Sequence, residues 1–438
     1  MKITLRALLG ATAVACLSSA AFAETTTITV ATVNNGDMIR MQGLMDDFYA
    51  KNPDIKVEWV TLEENVLRQN VTTDIATGGG QYDVLTIGTY EVPIWGKQGW
   101  LVSLNDLPAD YDAADLLPPM KAGLSVDGTL YASPFYGESS FINYRTDLAK
   151  KAGITIPEVP TWADIKTAAA AMNDPANGIY GICLRGKPGW GENMAFLTTM
   201  ANSYGGRWFD MDWKPQFDSP EWKAVITDYV ELLTKYGPPG ASSNGYNENL
   251  TLSLQGKCAM RIDATVSASA LLDPKQSPVA DKVGFALAPD MGLGKRANWL
   301  WAWSLAIPSS SKNQAAAKTF INWATNKDYL ALVASKEGWA NVPPGTRTSL
   351  YANPEYSKLP FAKMTLDSIN AADPANPTVQ PVPYVGVQYV AIPEYQGIGT
   401  AAGQEFSAAL AGQKTVDEAL AAVQAMVTEE MTAAGYIK

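Results

Sequence analysis

Three β-branched or aliphatic runs, Thr27 to Val33, Ile55 to Val60 and Asp83 to Ile87, alternate with two stretches of helical period. This alternation restricts the chain more than any other feature. Met38, Met41, Met45 and Phe48 recur every three or four residues, as on one helix face, until Asn52-Pro53 stops them. Thr61-x-x-Glu64 has the form of a capping box and opens a second helix, with Leu67, Val71 and Ile75 aligned until Gly78-Gly79-Gly80. Strand, helix, strand, helix, strand with short connections builds a parallel sheet covered by helices, so the expected fold class is α/β.

Farther along, Leu130 to Pro134 and Phe141 to Tyr144 read as strands on either side of the polar segment Tyr136 to Ser140, where the chain is expected to cross to a second lobe. Thr161 with Asp164 caps a helix from Trp162, and another runs through Trp222 to Tyr236 before Gly237-Pro238-Pro239. Cys258 to Ile262 is a strand candidate. Val283 to Leu287, Trp299 to Ile307 and the helix Lys312 to Thr325 repeat the α/β grammar and are expected to complete the first sheet. A Pro-rich stretch, Pro374 to Pro393, precedes a helical end, Gly403 to Ala434. Crossings near 135, 280 and 328 divide the chain into lobe 1, residues 24–135 plus 281–328, and lobe 2, residues 136–280 plus 329–438.

The first 23 residues carry Lys2 and Arg6, an apolar run from Ala7 to Leu17, and Ala21-Phe22-Ala23, the small-x-small pattern of a cleaved export signal. The expected location is the periplasm. With a formal charge of −11, the chain is poorly suited to nucleic acid or anionic membrane, whose affinity rests on Lys and Arg. No histidine occurs, which removes His-based acid/base catalysis, Ser-His-Asp and Cys-His nucleophile pairs, and nearly all catalytic zinc sites. No cofactor or metal is expected. Of three cysteines, Cys16 falls in the export segment, and whether Cys183 and Cys258 pair is left open by the sequence.

Six short segments together resemble the extracellular solute-binding proteins of carbohydrate ABC importers, and among them the sorbitol/mannitol-binding group. These are Gly80-Gln81-Tyr82-Asp83-Val84, Gly99-Trp100-Leu101-Val102, Pro134-Phe135-Tyr136-Gly137-Glu138-Ser139, Gly189-Trp190-Gly191-Glu192-Asn193, Gly205-Gly206-Arg207-Trp208 and Val342-Pro343-Pro344-Gly345-Thr346-Arg347. The resemblance implies a two-lobed periplasmic-binding-protein-like fold of type II, a polyol or sugar held in the cleft, no catalysis, and docking of a monomer onto an ABC permease.

A polyol presents hydroxyls that both donate and accept, on a carbon chain without charge. Carboxylates, amides and Arg match the hydroxyls, and flat aromatics cover the C–H faces. Glu138 and Ser139 stand at the expected crossing. Trp190, Glu192 and Asn193 combine a ring, a carboxylate and an amide in one Gly-bounded loop. Trp299, Trp301 and Trp303 alternate at period two and so share one strand face, with Trp301 the candidate for the cleft. Asp263 ends a strand, where α/β folds bind ligands. Arg347 follows a rigid Pro-Pro-Gly, suited to presenting a guanidinium fork, and Asn35 and Tyr90 follow strands of the first lobe. Each also has a structural reading: loop polarity, core packing, a cap, a turn or a surface ion pair.

Two motifs lead nowhere. Asp210-x-Asp212 with Glu221 mimics the ends of an EF-hand, but Lys214 and Pro215 fill positions that need an oxygen ligand and glycine. Gly78-Gly79-Gly80 lacks the Gly-Lys-Ser/Thr of a phosphate loop. The rival function is a secreted carbohydrate-active hydrolase, which needs only a carboxylate pair such as Glu138 and Glu192.

Overall fold

The computed structural model describes residues 25–437, so the expected signal segment, 1–23, and Cys16 lie outside the described residues. Its strands are β1 Thr26–Val33, β2 Ile55–Leu62, β3 Val84–Ile87, β4 Ser125–Val126, β5 Thr129–Leu130, β6 Ala132–Glu138, β7 Ser140–Arg145, β8 Met260–Ala264, β9 Val283–Leu287 and β10 Trp301–Ala306. They form a five-stranded sheet, β2-β1-β3-β10-β6, a three-stranded sheet, β8-β7-β9, and the hairpin β4-β5.

The parallel arrangement of β1 with β2 and β3 follows from the strand-helix alternation. β3 is buried at every position, as a central strand covered on both faces should be. β2 lies at the edge, and its buried Ile55 and Val57 alternate with exposed Lys56 and Glu58, which discourage pairing with another chain. β10 and β6 then extend the sheet antiparallel. The periodic Met38, Met41, Met45 and Phe48 are buried as expected, but on two helices, Gly36–Gly43 and Met45–Lys51, interrupted at Leu44. The carboxy-terminal helical stretch likewise divides into Tyr395–Leu410 and Val416–Ala433.

Strand pairing relocates two lobe boundaries. The first crossing narrows to Ser139 alone, because β6 remains in the first sheet through Glu138 and β7 enters the second at Ser140. β9 pairs with β7, so the expected boundary at 281 is corrected: the chain returns to the first sheet only between Leu287 and Trp301. The expected crossing near 328 is also corrected. Pro344 and Thr346 still accept hydrogen bonds from Gly137 and Leu117, at 2.8 and 2.9 Å, and the chain joins the second sheet with the helix Ala362–Asn370. Gly345, at φ +69°, lies so close to Gly137 that a Cβ would meet its carbonyl.

The second lobe is built around the helix Asn193–Ser203, every residue of which is buried. Trp222 stacks on Phe406 at 6.0 Å, and Trp208 packs against Phe217 and Tyr395, tying the carboxy-terminal helices into this lobe. Each such ring contributes about 1.5–3 kcal/mol through burial. Cys183 and Cys258 form a disulfide with 5.9 Å between Cα atoms. No helix among the described residues is long and apolar enough to cross a membrane.

A candidate ligand cavity between the two sheets

β6 and β10 place a row of side chains on one face. Trp301 pairs with Glu138 and Trp303 with Tyr136, and the period of two directs all four to the same side. With Trp299, they line a cavity at the junction of the two sheets. Asn35 completes this wall and donates its amide to the Tyr136 hydroxyl at 2.9 Å.

The helix Glu64–Thr77 adds Glu64 and Arg68, one turn apart. Its cap is Glu63, whose carboxylate accepts from the amides of Asn65 and Val66, not the expected Thr61–Glu64 box. Glu64 is thereby free to receive Arg68 Nε and Nη2 at 3.1 and 2.9 Å. Arg68 Nη1 donates to Glu91 at 2.9 Å, and the Glu91 carboxylate also accepts from the Gly88 amide. The guanidinium carbon of Arg68 lies 3.9, 4.8 and 4.7 Å from the ring centroids of Trp190, Trp301 and Trp303.

From the second lobe come Trp190, Gly191, Arg185, Tyr246, Ala195 and Ala264. Arg185 forks onto Asp263 at 2.7–3.2 Å and donates to the Gly191 carbonyl at 2.9 Å and to Glu192 at 3.5 Å. Gln388, from the Pro-rich segment, pins Leu300 through both its backbone groups and so holds the start of β10.

Nearly the whole lining is buried, and its electrostatics follow from that. Burial pushes the Glu138 carboxyl up to about 8, against the pull of Arg185, with Asp263 and Glu64 adding to the rise. Burial likewise raises Glu192 to about 8, Arg185 and Lys187 pulling it down and Glu64 and Asp263 adding to the rise. Asp263 is as deeply buried, but Arg185 and Arg261 overcome the burial and hold it below the usual carboxylate range. Between the lobes, Lys187 meets Glu63 at 2.6 Å and Asn247 donates to Asn34 at 3.2 Å, so the lobes stand in contact.

Of the residues singled out from sequence, Asn35, Glu138, Trp190 and Trp301 line the cavity. Others stand one step behind it. Tyr90 packs against Trp190 at 4.8 Å and donates to the Ile392 carbonyl; Ser139 donates to the Trp299 carbonyl; Asp263 and Glu192 hold Arg185. Asn193 joins the Gly189 amide to the Gly403 carbonyl. The placement of Arg347 is a correction: its guanidinium donates to the carbonyls of Thr325 and Asp112 over the Tyr111 ring, inside the first lobe. Sequence reasoning missed Glu64, Arg68, Arg185, Tyr136, Tyr246 and Gln388. The Glu64–Arg68 spacing was the available signal. Trp299 and Trp303 join Trp301 in the lining, as their shared period allows.

Among the described residues no cluster of metal-ligating side chains occurs. The sequence pattern of the bacterial extracellular solute-binding proteins matches residues 35–331. A mannitol-binding protein of Pseudomonas aeruginosa is 56% identical over 427 residues, 97% of this chain and 98% of that protein. A crystal structure of an ABC transporter solute-binding protein from Agrobacterium vitis S4, with bound D-mannitol, is 69% identical. It superposes with a TM-score of 0.94, covering 94% of this chain and 100% of that one. A second, from Agrobacterium radiobacter K84 in complex with ribitol, is 25% identical with a TM-score of 0.81, covering 93% and 99%.

Proposed function

The chain belongs to the bacterial extracellular solute-binding proteins, and from that premise we propose that it binds D-mannitol or a closely related hexitol and delivers it to the permease of an ABC importer. It does so as a periplasmic monomer, after removal of residues 1–23, and performs no chemistry on its ligand.

The observation that carries this reading is a mismatch built into the cavity. The Nε1–H groups of Trp190, Trp299 and Trp301 are buried and find no acceptor among the described residues. Beside Trp301 on the same wall, the buried carboxyl of Glu138 receives no hydrogen bond among the described residues. A hydroxyl both donates and accepts, so a chain of hydroxyls satisfies both at once. Each buried polar group left unpaired costs about 1–3 kcal/mol, and that penalty is what a polyol removes on entering. The indoles supply the apolar faces for its C–H groups. The bound D-mannitol of the Agrobacterium vitis protein and the bound ribitol of the more distant one favour an acyclic polyol over a cyclic sugar.

The hydrolase reading loses its support at Glu192. That carboxylate is occupied by Arg185 at 3.5 Å and by the Tyr246 amide at 3.2 Å. It does not line the cavity, so the pair Glu138 and Glu192 is not assembled there, and Glu64, the other carboxylate of the lining, is engaged by Arg68.

Isothermal titration of the mature protein, unfolded and refolded to strip carried-over ligand, tests the proposal. D-mannitol is expected to bind with one site per chain, sorbitol and ribitol more weakly, and glucose and maltose not at all. Binding confined to a cyclic sugar, or recovery of the ligand in altered form, would overturn it.

A further inference from the structure

Residues 180–183 lie beside the approach to β8 as a parallel edge held by few hydrogen bonds. Tyr180 donates to the Lys257 carbonyl at 2.8 Å, Ala259 to the Tyr180 carbonyl at 2.7 Å, and Cys183 to the Met260 carbonyl at 2.9 Å. The pairing amounts to two isolated bridges, Tyr180 with Cys258 and Cys183 with Arg261. The disulfide between Cys183 and Cys258 crosses this same edge. Two residues beyond Cys183 stands Arg185, and five beyond Cys258 stands Asp263. Arg185 lines the cavity from the second lobe, and Asp263 holds it from behind through a two-pronged pairing.

A slip of one residue between these segments would reverse the direction of alternate side chains. It would separate a guanidinium and a carboxylate that are both deeply buried. The short bridges alone are a weak guard against such a slip, whereas a covalent bond allows none. Arg185 in turn orders the wall, because it donates to the Gly191 carbonyl beside Trp190 and holds Glu192.

We infer that the Cys183–Cys258 disulfide is a positioning element of the ligand site, which fixes the register in which Arg185 meets Asp263 and so shapes the cavity. The inference rests on the polyol reading of that cavity. Cys183 is fully buried and Cys258 nearly so, which suits a bond kept intact through the transport cycle rather than one exchanged with solvent thiols.

The test compares the wild type with C183S/C258S, in the presence and absence of R185A, by titration with D-mannitol well below every melting temperature. Removing the bridge is expected to weaken binding by about tenfold in the wild-type background and by less than about twofold in the R185A background, since both changes disrupt one arrangement. The Arg185 Nε–H resonance in a nitrogen-correlated spectrum of the ligand-free protein is expected to shift or broaden when the bridge is absent. Unchanged affinity with only a lower melting temperature, additive losses, or an unmoved Nε–H resonance would each overturn the inference. If the wild type does not bind D-mannitol, the ligand reading fails, and the resonance still decides the positioning role. C183A/C258A serves as a second variant; should neither fold, the bridge is a requirement of folding and the inference falls.

Discussion

The guanidinium of Arg68, on a first-lobe helix, lies 3.9 Å from the ring centroid of Trp190, on a second-lobe loop, so one cation–π contact spans the cleft at the cavity. Partly desolvated contacts of this kind contribute about 0.5–2 kcal/mol, and the same indole lines the cavity with its Nε1–H buried and unpartnered among the described residues. Trp190→Ala should therefore weaken D-mannitol binding by at least about tenfold, or ~1.4 kcal/mol. Titration measures the loss, and small-angle scattering should show a larger fraction of open molecules at equal ligand.

Arg347→Ala should behave in the opposite way. Its donors satisfy the Thr325 carbonyl, at the last residue of the helix Gln314–Thr325, and the Asp112 carbonyl, and none reaches the cavity. Losing hydrogen bonds to a buried charged group costs about 1.5–3 kcal/mol each. Chemical denaturation should record a drop on the order of 3 kcal/mol, while the dissociation constant stays within about twofold. A large loss of affinity without loss of stability would place Arg347 at the ligand.

The pH dependence of the ligand-free protein follows from Glu138 and Glu192. Burial raises both from an ordinary 4.5 to about 8. Between those values the folded chain holds more protons than the unfolded one, so stability falls as pH rises through the window. Glu138 feels Arg185, Asp263, Glu64 and Arg261 around it. Thermal melts should decline from pH 5 to about 8 and level off above that, and Glu138→Gln should flatten the decline; a wild-type profile flat between pH 5 and 8 would refute it.

Selectivity against acids follows from the balance of charge. Glu64, Glu91, Glu138, Glu192 and Asp263 gather around Arg68, Arg185 and Arg261. With Glu138 and Glu192 protonated below about pH 8, the three guanidinium groups are already matched by Glu64, Glu91 and Asp263, so a ligand carboxylate brings a negative charge that the site does not balance. Aldonates such as D-mannonate should bind at least about a hundredfold more weakly than the matching alcohol, because repulsion of the wrong partner adds to the loss of a hydroxyl. Competition titration measures the ratio.

The first sheet was legible because β-branched runs and helical periods are local signals, and β1, β2 and β3 pair as they imply. The row of three tryptophans was legible for the same reason. Glu64 was read as half of a capping box, since the letters of a cap and of a cavity-lining carboxylate are identical; only the cap actually made by Glu63 separates them. Arg185 carries no local mark at all. Its role depends on Asp263, 78 residues away, which no periodicity reports. Arg347 misled for the converse reason: a rigid loop fixes where a side chain begins, not which carbonyls its donors find.

Ser139 alone separates the two sheets where β6 passes into β7, and its carbonyl accepts from the Thr265 amide at 2.8 Å while its hydroxyl donates to the Trp299 carbonyl at 2.7 Å. Glu138 and the tryptophan row therefore stand beside the fulcrum, and the outer surfaces of both lobes lie at the far ends of its arms. A rotation too small to displace a ligand by more than a fraction of its own width sweeps those surfaces through a wide arc. A rotation about this junction set by occupancy at the centre would change the outline presented outside the molecule.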